Sequence, residues 1–115
     1  MNVLSELKSL ITSLSVPVET GVFKSKAPDI YIVLVPISDT YPLHSDDYPQ
    51  VDYQECIITL YSKSNYVKLK NRIIKILLTN FFYITERKYN GYDTDAGYHQ
   101  FTIDVAKNYD LEEDI

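Results

Sequence analysis

The chain has 115 residues, a formal net charge of -5 and a single cysteine. Its length suits one domain with one hydrophobic core. The lone cysteine excludes an internal disulfide, and no apolar run approaches the ~20 residues that a membrane span needs. An acidic chain also lacks the dominant positive field that strong binding to nucleic-acid phosphates requires. Without a signal-peptide pattern, synthesis in the cytosol is expected.

The first half of the chain is predicted to form one helix and two strands. The helix covers residues 2–14, where apolar side chains recur at the helical period. Strands are predicted over residues 18–23 and over the apolar run of residues 30–35, which is typical of a central strand and which Pro36 ends. Residues 37–49 have no clean period and contain two prolines between acidic residues. We expect them to form a long exposed loop, which in so small a domain is generally functional or disordered.

The strongest strand and the strongest helix follow one another within residues 50–80. Residues 56–61 are almost all apolar or β-branched, which favours a strand covered on both faces. Ser64 or Asn65 is the expected helix cap. From Tyr66 onward the apolar period changes to about 3.6 residues, which predicts an amphipathic helix.

Two further strands complete the predicted sheet. Residues 81–89 form the first, and Asn90-Gly91 is a strong signal for a hairpin turn, which residues 92–97 extend. Residues 99–105 alternate between apolar and polar side chains, which predicts a half-buried final strand.

These elements predict an α+β domain over residues 1–108, followed by an acidic tail over residues 109–115. The order is helix, strand, strand, strand, helix, strand, strand. Such an order favours a two-layer sandwich, in which a mostly antiparallel sheet carries both helices on one face.

Charge is distributed unevenly along the chain. Residues 37–55 and 93–115 are acidic, whereas residues 63–88 are mostly basic. Such asymmetry favours directional contacts between complementary surfaces. The alternative is that these charges are solvated, or that they pair across the sheet within one molecule.

No set of residues indicates catalysis, a metal or a cofactor. Three glycines do not make a phosphate loop. His44, Asp46 and Asp47 could hold a cation, but such residues on a proline-bounded loop are more typical of a solvated segment. Asp93 and Asp95 begin like a calcium loop, yet the later ligand positions fail, so we interpret both as turn-forming residues.

Three other side chains have a structural and a functional interpretation. Cys56 is expected to pack as a small hydrophobe rather than to act as a nucleophile. His99 is expected to be packed or hydrogen-bonded rather than a catalytic base. Lys70 lies near the apolar stripe of its helix, where its stem can run along the edge or meet another chain. We therefore expect a protein that is not an enzyme.

The stretch from about Asp29 to Tyr109 resembles a protein family. The run NYVKLKNRIIKILL and the later run RKYNGYDTDAGYHQFTIDVAKNY are similar to the small tail-terminator, or tail-completion, proteins of long-tailed phages and prophages of Gram-positive bacteria. PDIYIVLVP, the acidic proline-containing segment and VDYQECIITLYSKSNY agree with this resemblance. It implies a subunit that assembles as a ring, typically a hexamer, at the head-proximal end of the virion tail. There the ring would end polymerisation of the tail tube and present a surface to the head connector.

The resemblance also implies partners and contact residues. The partners are further copies of the chain, the tail-tube protein and the connector or head-completion protein, while DNA passes through the lumen without specific binding. The residues expected at the subunit interface are Lys68, Lys70, Arg72 and Lys75. The residues expected to contact tube or connector are His44, Asp46, Asp47, Asp93 and Asp95. The alternatives are a head-completion protein and a small cytosolic module whose basic helix binds RNA or another anionic ligand.

Overall fold

A computed structural model describes residues 2–21, 28–40, 44–45, 48–49 and 51–110 of the chain. For residues 38–40, 44–45, 48–49, 51 and 110 the description covers the backbone alone. The predicted α+β class and element order are confirmed, with two short strands added between the second and third predicted strands. The elements are α1 (Val3–Thr12), β1 (Val18–Thr20), β2 (Ile30–Thr40), β3 (His44–Ser45), β4 (Tyr48–Pro49), β5 (Val51–Ser62), α2 (Val67–Thr79), β6 (Tyr83–Asp93) and β7 (Tyr98–Asp110).

The main sheet has five strands in the order β1-β2-β5-β7-β6. β1 runs parallel to β2, and every other neighbouring pair is antiparallel. β3 and β4 form a separate two-stranded ribbon. The prediction of a mostly antiparallel sheet is therefore confirmed.

Both helices cover the same face of the sheet. Leu7 of α1 and Leu77 of α2 are fully buried and belong to one cluster with Leu34, Ile58 and Ile103 from the three central strands. Because alternate residues of a strand point to opposite faces, these sheet residues define the helix-covered face. The strongest apolar runs of the sequence thus form the boundary between two layers, as predicted.

The opposite face of the sheet is not covered by any described helix. Tyr61 and Ile57 of β5 point to this open face and are only half-buried, and Val35 of β2 is exposed. The prediction that residues 56–61 are covered on both faces is therefore wrong. β-branched and aromatic side chains suit a half-exposed pleated surface as well as a buried one, so composition alone did not separate the two cases.

Side-chain amides bind backbone N–H groups at the start of both helices. Asn2 is the N-cap of α1, and its Oδ1 accepts a hydrogen bond from the Ser5 N–H at 2.8 Å. The N-cap of α2 is Tyr66, whose side chain makes no cap hydrogen bond, so the prediction of Ser64 or Asn65 as the cap is wrong by one or two residues. Asn65, one residue earlier, still accepts from the Val67 N–H at 2.9 Å and so satisfies one of the donors that the helix leaves unpaired.

β2 continues beyond the proline that was expected to end it. The register of β2 with β5 runs through Pro36 and shifts between Pro36 and Ser38, so Ile37 forms a bulge. Proline is tolerated here because among described residues no strand pairs with the other side of β2 beyond Leu34. The expected loop over residues 37–49 is therefore wrong for residues 37–40, and the bulge explains why the alternation was lost.

The boundaries near the C-terminus also differ from the prediction. β6 has two bulges, at Thr85 and at Asn90. Asn90 and Gly91 lie within this strand, where Gly91 has a φ of 108°, and the hairpin turns later in the chain. β7 extends to Asp110, and Tyr109 is buried. The acidic tail therefore does not begin at residue 109, and residues 111–115 lie outside the described residues.

One lysine joins both helices to the sheet. Lys107 Nζ donates to Glu6 Oε2 of α1 at 2.7 Å and to the Asn80 carbonyl at the end of α2 at 2.8 Å. The Tyr109 hydroxyl donates to the other Glu6 oxygen at 2.9 Å. Lys107 Nζ also lies 4.8 Å from the centre of the Phe82 ring. This contact holds the N-terminal end of α1 and the C-terminal end of α2 over β7.

Candidate assembly surfaces

The outer side of α2 carries unbalanced positive charge. The helix contains four cations and no acidic residue, and three of the cations are exposed on the side away from the sheet. Among the described residues, none of these three is in an ion pair. Like charges three or four residues apart weaken a helix by about 0.2–0.5 kcal/mol per pair. This surface, called the basic face below, consists of Lys68, Arg72 and Lys75.

Lys70 is separate from the basic face. It is half-buried, and its Nζ lies 5.3 Å from the centre of the Phe101 ring in β7. This contact fits the first of the two arrangements expected for Lys70, a stem along the edge of the apolar stripe. Its place at a subunit interface stays a prediction. Its charge is engaged within its own subunit, through a cation–π contact.

A shallow groove lies between the two helices. It has a volume of about 380 Å³ and is lined by Leu14 of α1 and by Arg72, Lys75, Ile76 and Thr79 of α2. Two basic-face residues thus border an apolar floor. The groove also shows which side of α2 faces α1, because the residues that line it lie on that side of the helix.

The open face of the sheet carries the opposite charge. Among the described residues, its side chains include the carboxylates of Glu19, Glu55, Glu86 and Asp104, with Asp93 at the hairpin end. They face two lysines, Lys88 and Lys63, the latter with its Nζ 5.1 Å from the centre of the Tyr98 ring. The strand register places Glu86 directly opposite Asp104. This surface, called the acidic face below, consists of Glu19, Glu55, Glu86 and Asp104.

The acidic face affects the titration of one of its own members. Partial burial, and to a lesser extent the Glu86 carboxylate opposite, raise the pKa of Asp104. Like charges directly across a strand pair destabilise a sheet. The domain therefore keeps two carboxylates together at a cost to its own stability.

The described residues that were expected to contact tube or connector lie at the two ends of the sheet. Asp93 Oδ1 accepts hydrogen bonds from the Asp95 and Ala96 N–H groups at 2.9 and 3.3 Å, which confirms a turn-forming role for Asp93. This turn lies at one end of the long strands. The chain around His44, whose backbone lies in β3, follows β2 at the other end. Asp46 and Asp47 lie outside the described residues, so the structure does not place the predicted cluster with His44.

His99 belongs to an aromatic cluster between α2 and the hairpin. Its Nδ1 is 2.8 Å from the Tyr89 hydroxyl, and its ring centre is 4.8 Å from that of Tyr92. Tyr66, at the start of α2, stacks on Tyr89 with 5.6 Å between ring centres. The prediction of a packed, hydrogen-bonded histidine is confirmed.

The described residues show no catalytic or metal-binding arrangement. Burial raises the pKa of the Cys56 thiol to about 12, so the thiolate nucleophile is scarce at neutral pH. Within the described ranges, no three His, Cys, Asp or Glu side chains converge on a point where a metal could bind. Neither described helix is long and apolar enough to cross a membrane.

Neither a comparison with protein families nor a search of curated proteins finds a match for this chain. The proposed function therefore rests on the geometry of the domain and on the sequence resemblance.

Sequence reasoning did not single out one group of exposed residues. The sequence pattern predicts Phe81 as the first residue of a strand, but Phe81 lies in the link between α2 and β6 and is 82% exposed. The signal was weak because the helix end, Thr79-Asn80-Phe81-Phe82, lacks the glycine that commonly marks such a position.

Proposed function

We propose that this protein is a tail-terminator subunit of a long-tailed phage, which caps the tail tube as a hexameric ring and forms part of the head–tail interface. The observation that carries the proposal is the separation of charge between the two broad surfaces, the acidic face of the sheet and the basic face of α2. The absence of any catalytic arrangement among the described residues leaves assembly as the better supported class. The family resemblance supplies the particular assembly.

In this proposal the acidic face lines the lumen. DNA carries a dense row of negative phosphates, so an acidic wall lets it pass without binding. The helix layer, with the basic face, is then directed outward. Both layers run along the longest dimension of the molecule, 53 Å against 25 and 23 Å for the others.

The same dimensions suit a ring whose axis follows the strands. When six copies stand side by side in a ring, the centre of each copy lies about one subunit width from the ring axis. Half of that width is filled by the copy itself, so the central opening is about one subunit width across. The two ends of each subunit then face opposite directions along the axis. The Asp93–Gly97 turn would meet one partner and the β3–β4 end the other, which matches a protein between a tail tube and a connector.

The cations of α2 were predicted to lie at the subunit interface, and in this proposal the basic face lies at the border of that contact. Rim charges mainly govern the rate and salt dependence of association rather than its full strength. The proposal therefore gives the basic face a guiding role in assembly, and charge reversal there tests it.

Polymerisation of purified tail-tube protein tests the function directly. Added at the start, the protein should shorten the tubes and be found at one tip by electron microscopy. Tubes of unchanged length with bare tips would refute a terminator role. Binding to a connector but not to tubes would instead favour a head-completion protein.

The basic face also favours a second candidate, a module that binds RNA or another anionic ligand along the helix groove. A shift with RNA that weakens as salt rises, together with no effect on tubes, would favour that module.

A further inference from the structure

The large exposed apolar side chains lie on two opposite edges of the sheet. One group lies on α2, β6 and the link between them, and the other lies on β2. β6 and β2 lie on opposite sides of the two central strands. The first group, called the β6 edge patch, consists of Val67, Leu78, Phe81, Tyr83, Tyr89 and Tyr92. The second consists of Val35 and Ile37.

The side of α2 that faces away from α1 carries the helical residues of the β6 edge patch. Arg72 and Ile76 face α1 across the groove. At about 100° per residue, Val67 and Leu78 lie on the opposite side of the helix, above β6. They are 43% and 57% exposed, so this side of α2 is apolar and uncovered.

Phe81 occupies a backbone position that normally belongs to glycine. Its N–H donates to the Leu78 carbonyl and the Phe82 N–H donates to the Leu77 carbonyl, which is the Schellman arrangement at a helix end. Phe81 has a φ of 67°, in the left-handed region that bulky residues rarely adopt. Folding of the monomer does not need this phenyl ring, because it is 82% exposed.

A recess lies on the opposite edge at the same height along the strands. It has a volume of about 500 Å³, with an apolar part formed by Val3 and Leu4 at the start of α1 and by Pro36 and Ile37 of β2. Its remaining lining is polar and consists of Asn2, Gln54 and Glu55. Strand register joins Tyr83, Ala106, Glu55 and Ser38 in one row across the sheet, so the Phe81 end of β6 and the Ile37 bulge are level. A closed ring of identical subunits requires two different, matching patches at equal height on opposite sides.

We infer that Phe81 of one copy inserts into the recess formed by Leu4, Pro36 and Ile37 of the next copy. The inference rests on the proposed ring and specifies its subunit contact. The β6 edge patch forms the apolar centre of this contact, as aromatic anchors in pockets commonly do. The basic face lies at its border.

Cysteine cross-linking tests the inference. The variant with both Phe81→Cys and Ile37→Cys lacks the phenyl ring and associates more weakly, so it is oxidised at a protein concentration at least about 30-fold above that at which wild type associates. Under mild oxidation it should then form a ladder of disulfide-linked species that ends at the hexamer. The two sites cannot join within one subunit, because three strand spacings, roughly 14 Å, exceed the Cα separation in a disulfide. The native Cys56 is buried and does not compete. The matched control combines Ile37→Cys with Lys68→Cys and keeps Phe81, and it should give no ladder.

Two substitutions measure the contribution of the Phe81 phenyl ring to self-association. Phe81→Gly should unfold at the same or a higher temperature than wild type, since glycine suits the backbone position. Its self-association should nevertheless be at least about 30-fold weaker, as expected for a hot-spot residue. Phe81→Tyr keeps the aromatic anchor and should associate like wild type.

The outcomes separate this contact from the proposed function. The contact is overturned, and the proposed function stands, if Phe81→Gly forms tube-capping rings as well as wild type does and the double-cysteine variant gives no ladder. A ladder and Phe81-dependent association without tube capping support the contact and overturn the terminator role. No association of wild type, alone or on tubes, overturns both.

Discussion

Removing the amino group of Lys107 should destabilise the domain more than removing any exposed charge. In Lys107→Met the side chain keeps most of its length, but the bonds to Glu6 and to the Asn80 carbonyl are lost. The side chains of Lys107 and Glu6 are only 19% and 14% exposed, so the Glu6 carboxylate loses its cation in a largely dry site. Breaking a fully buried pair costs about 3–5 kcal/mol and an exposed pair about 0–1 kcal/mol. For this intermediate site we expect a loss of about 2–3 kcal/mol.

Urea unfolding followed by far-ultraviolet circular dichroism measures this loss. The free energy of unfolding should fall by the stated amount without a change in the slope against urea. Lys8→Met, at an exposed position of α1, is the matched control and should change stability by less than about 0.5 kcal/mol. Adding Glu6→Gln to Lys107→Met should cost less than Glu6→Gln alone, since the two residues act as a pair. A loss below about 0.5 kcal/mol for Lys107→Met would refute the reasoning.

The remaining predictions concern charge and the buried thiol. Reversing Lys68, Arg72 and Lys75 to Glu should leave the monomer folded but slow or block ring assembly, as native mass spectrometry would reveal; full assembly at the wild-type rate contradicts a role for the basic face. Asp104 has a raised pKa in the folded state, so its ionised form opposes folding, and stability should rise as pH falls through that pKa toward the ordinary aspartate value. Asp104→Asn should therefore stabilise the domain at neutral pH and remove this part of the pH dependence, and urea titrations of both proteins at several pH values would reveal an unchanged profile if the argument is wrong. The Cys56 thiol should resist a thiol reagent at pH 8 until the protein is unfolded, and fast reaction in the native state contradicts its burial.

The two layers were predictable because the sequence pattern there is strong. The 3.6-residue period from Tyr66 onward and the apolar run of β2 each admit one simple structure, and the expected cap of α2 was misplaced by only one or two residues. Strand lengths were less predictable. The bulges at Ile37 and in the Asn90-Gly91 region shift the alternation by one residue, so β2 and β6 looked shorter in the sequence than they are.

The candidate surfaces were predictable only in part. The charges of α2 are visible in the sequence, because neighbouring turns of one helix bring them together. The acidic face is not visible, since Glu19, Glu55 and Asp104 come from three strands that only the register aligns. Phe81 was missed for a local reason, because its left-handed conformation follows from the hydrogen bonds at the helix end and not from its own preference.

Native mass measurement combined with negative-stain imaging, across protein concentrations and with purified tail tubes, tests the central claim most directly. The proposal predicts a closed ring with a central hole, either free in solution or seated at one tip of the tube. A protein that stays monomeric at every concentration and leaves the tube tips bare would contradict it.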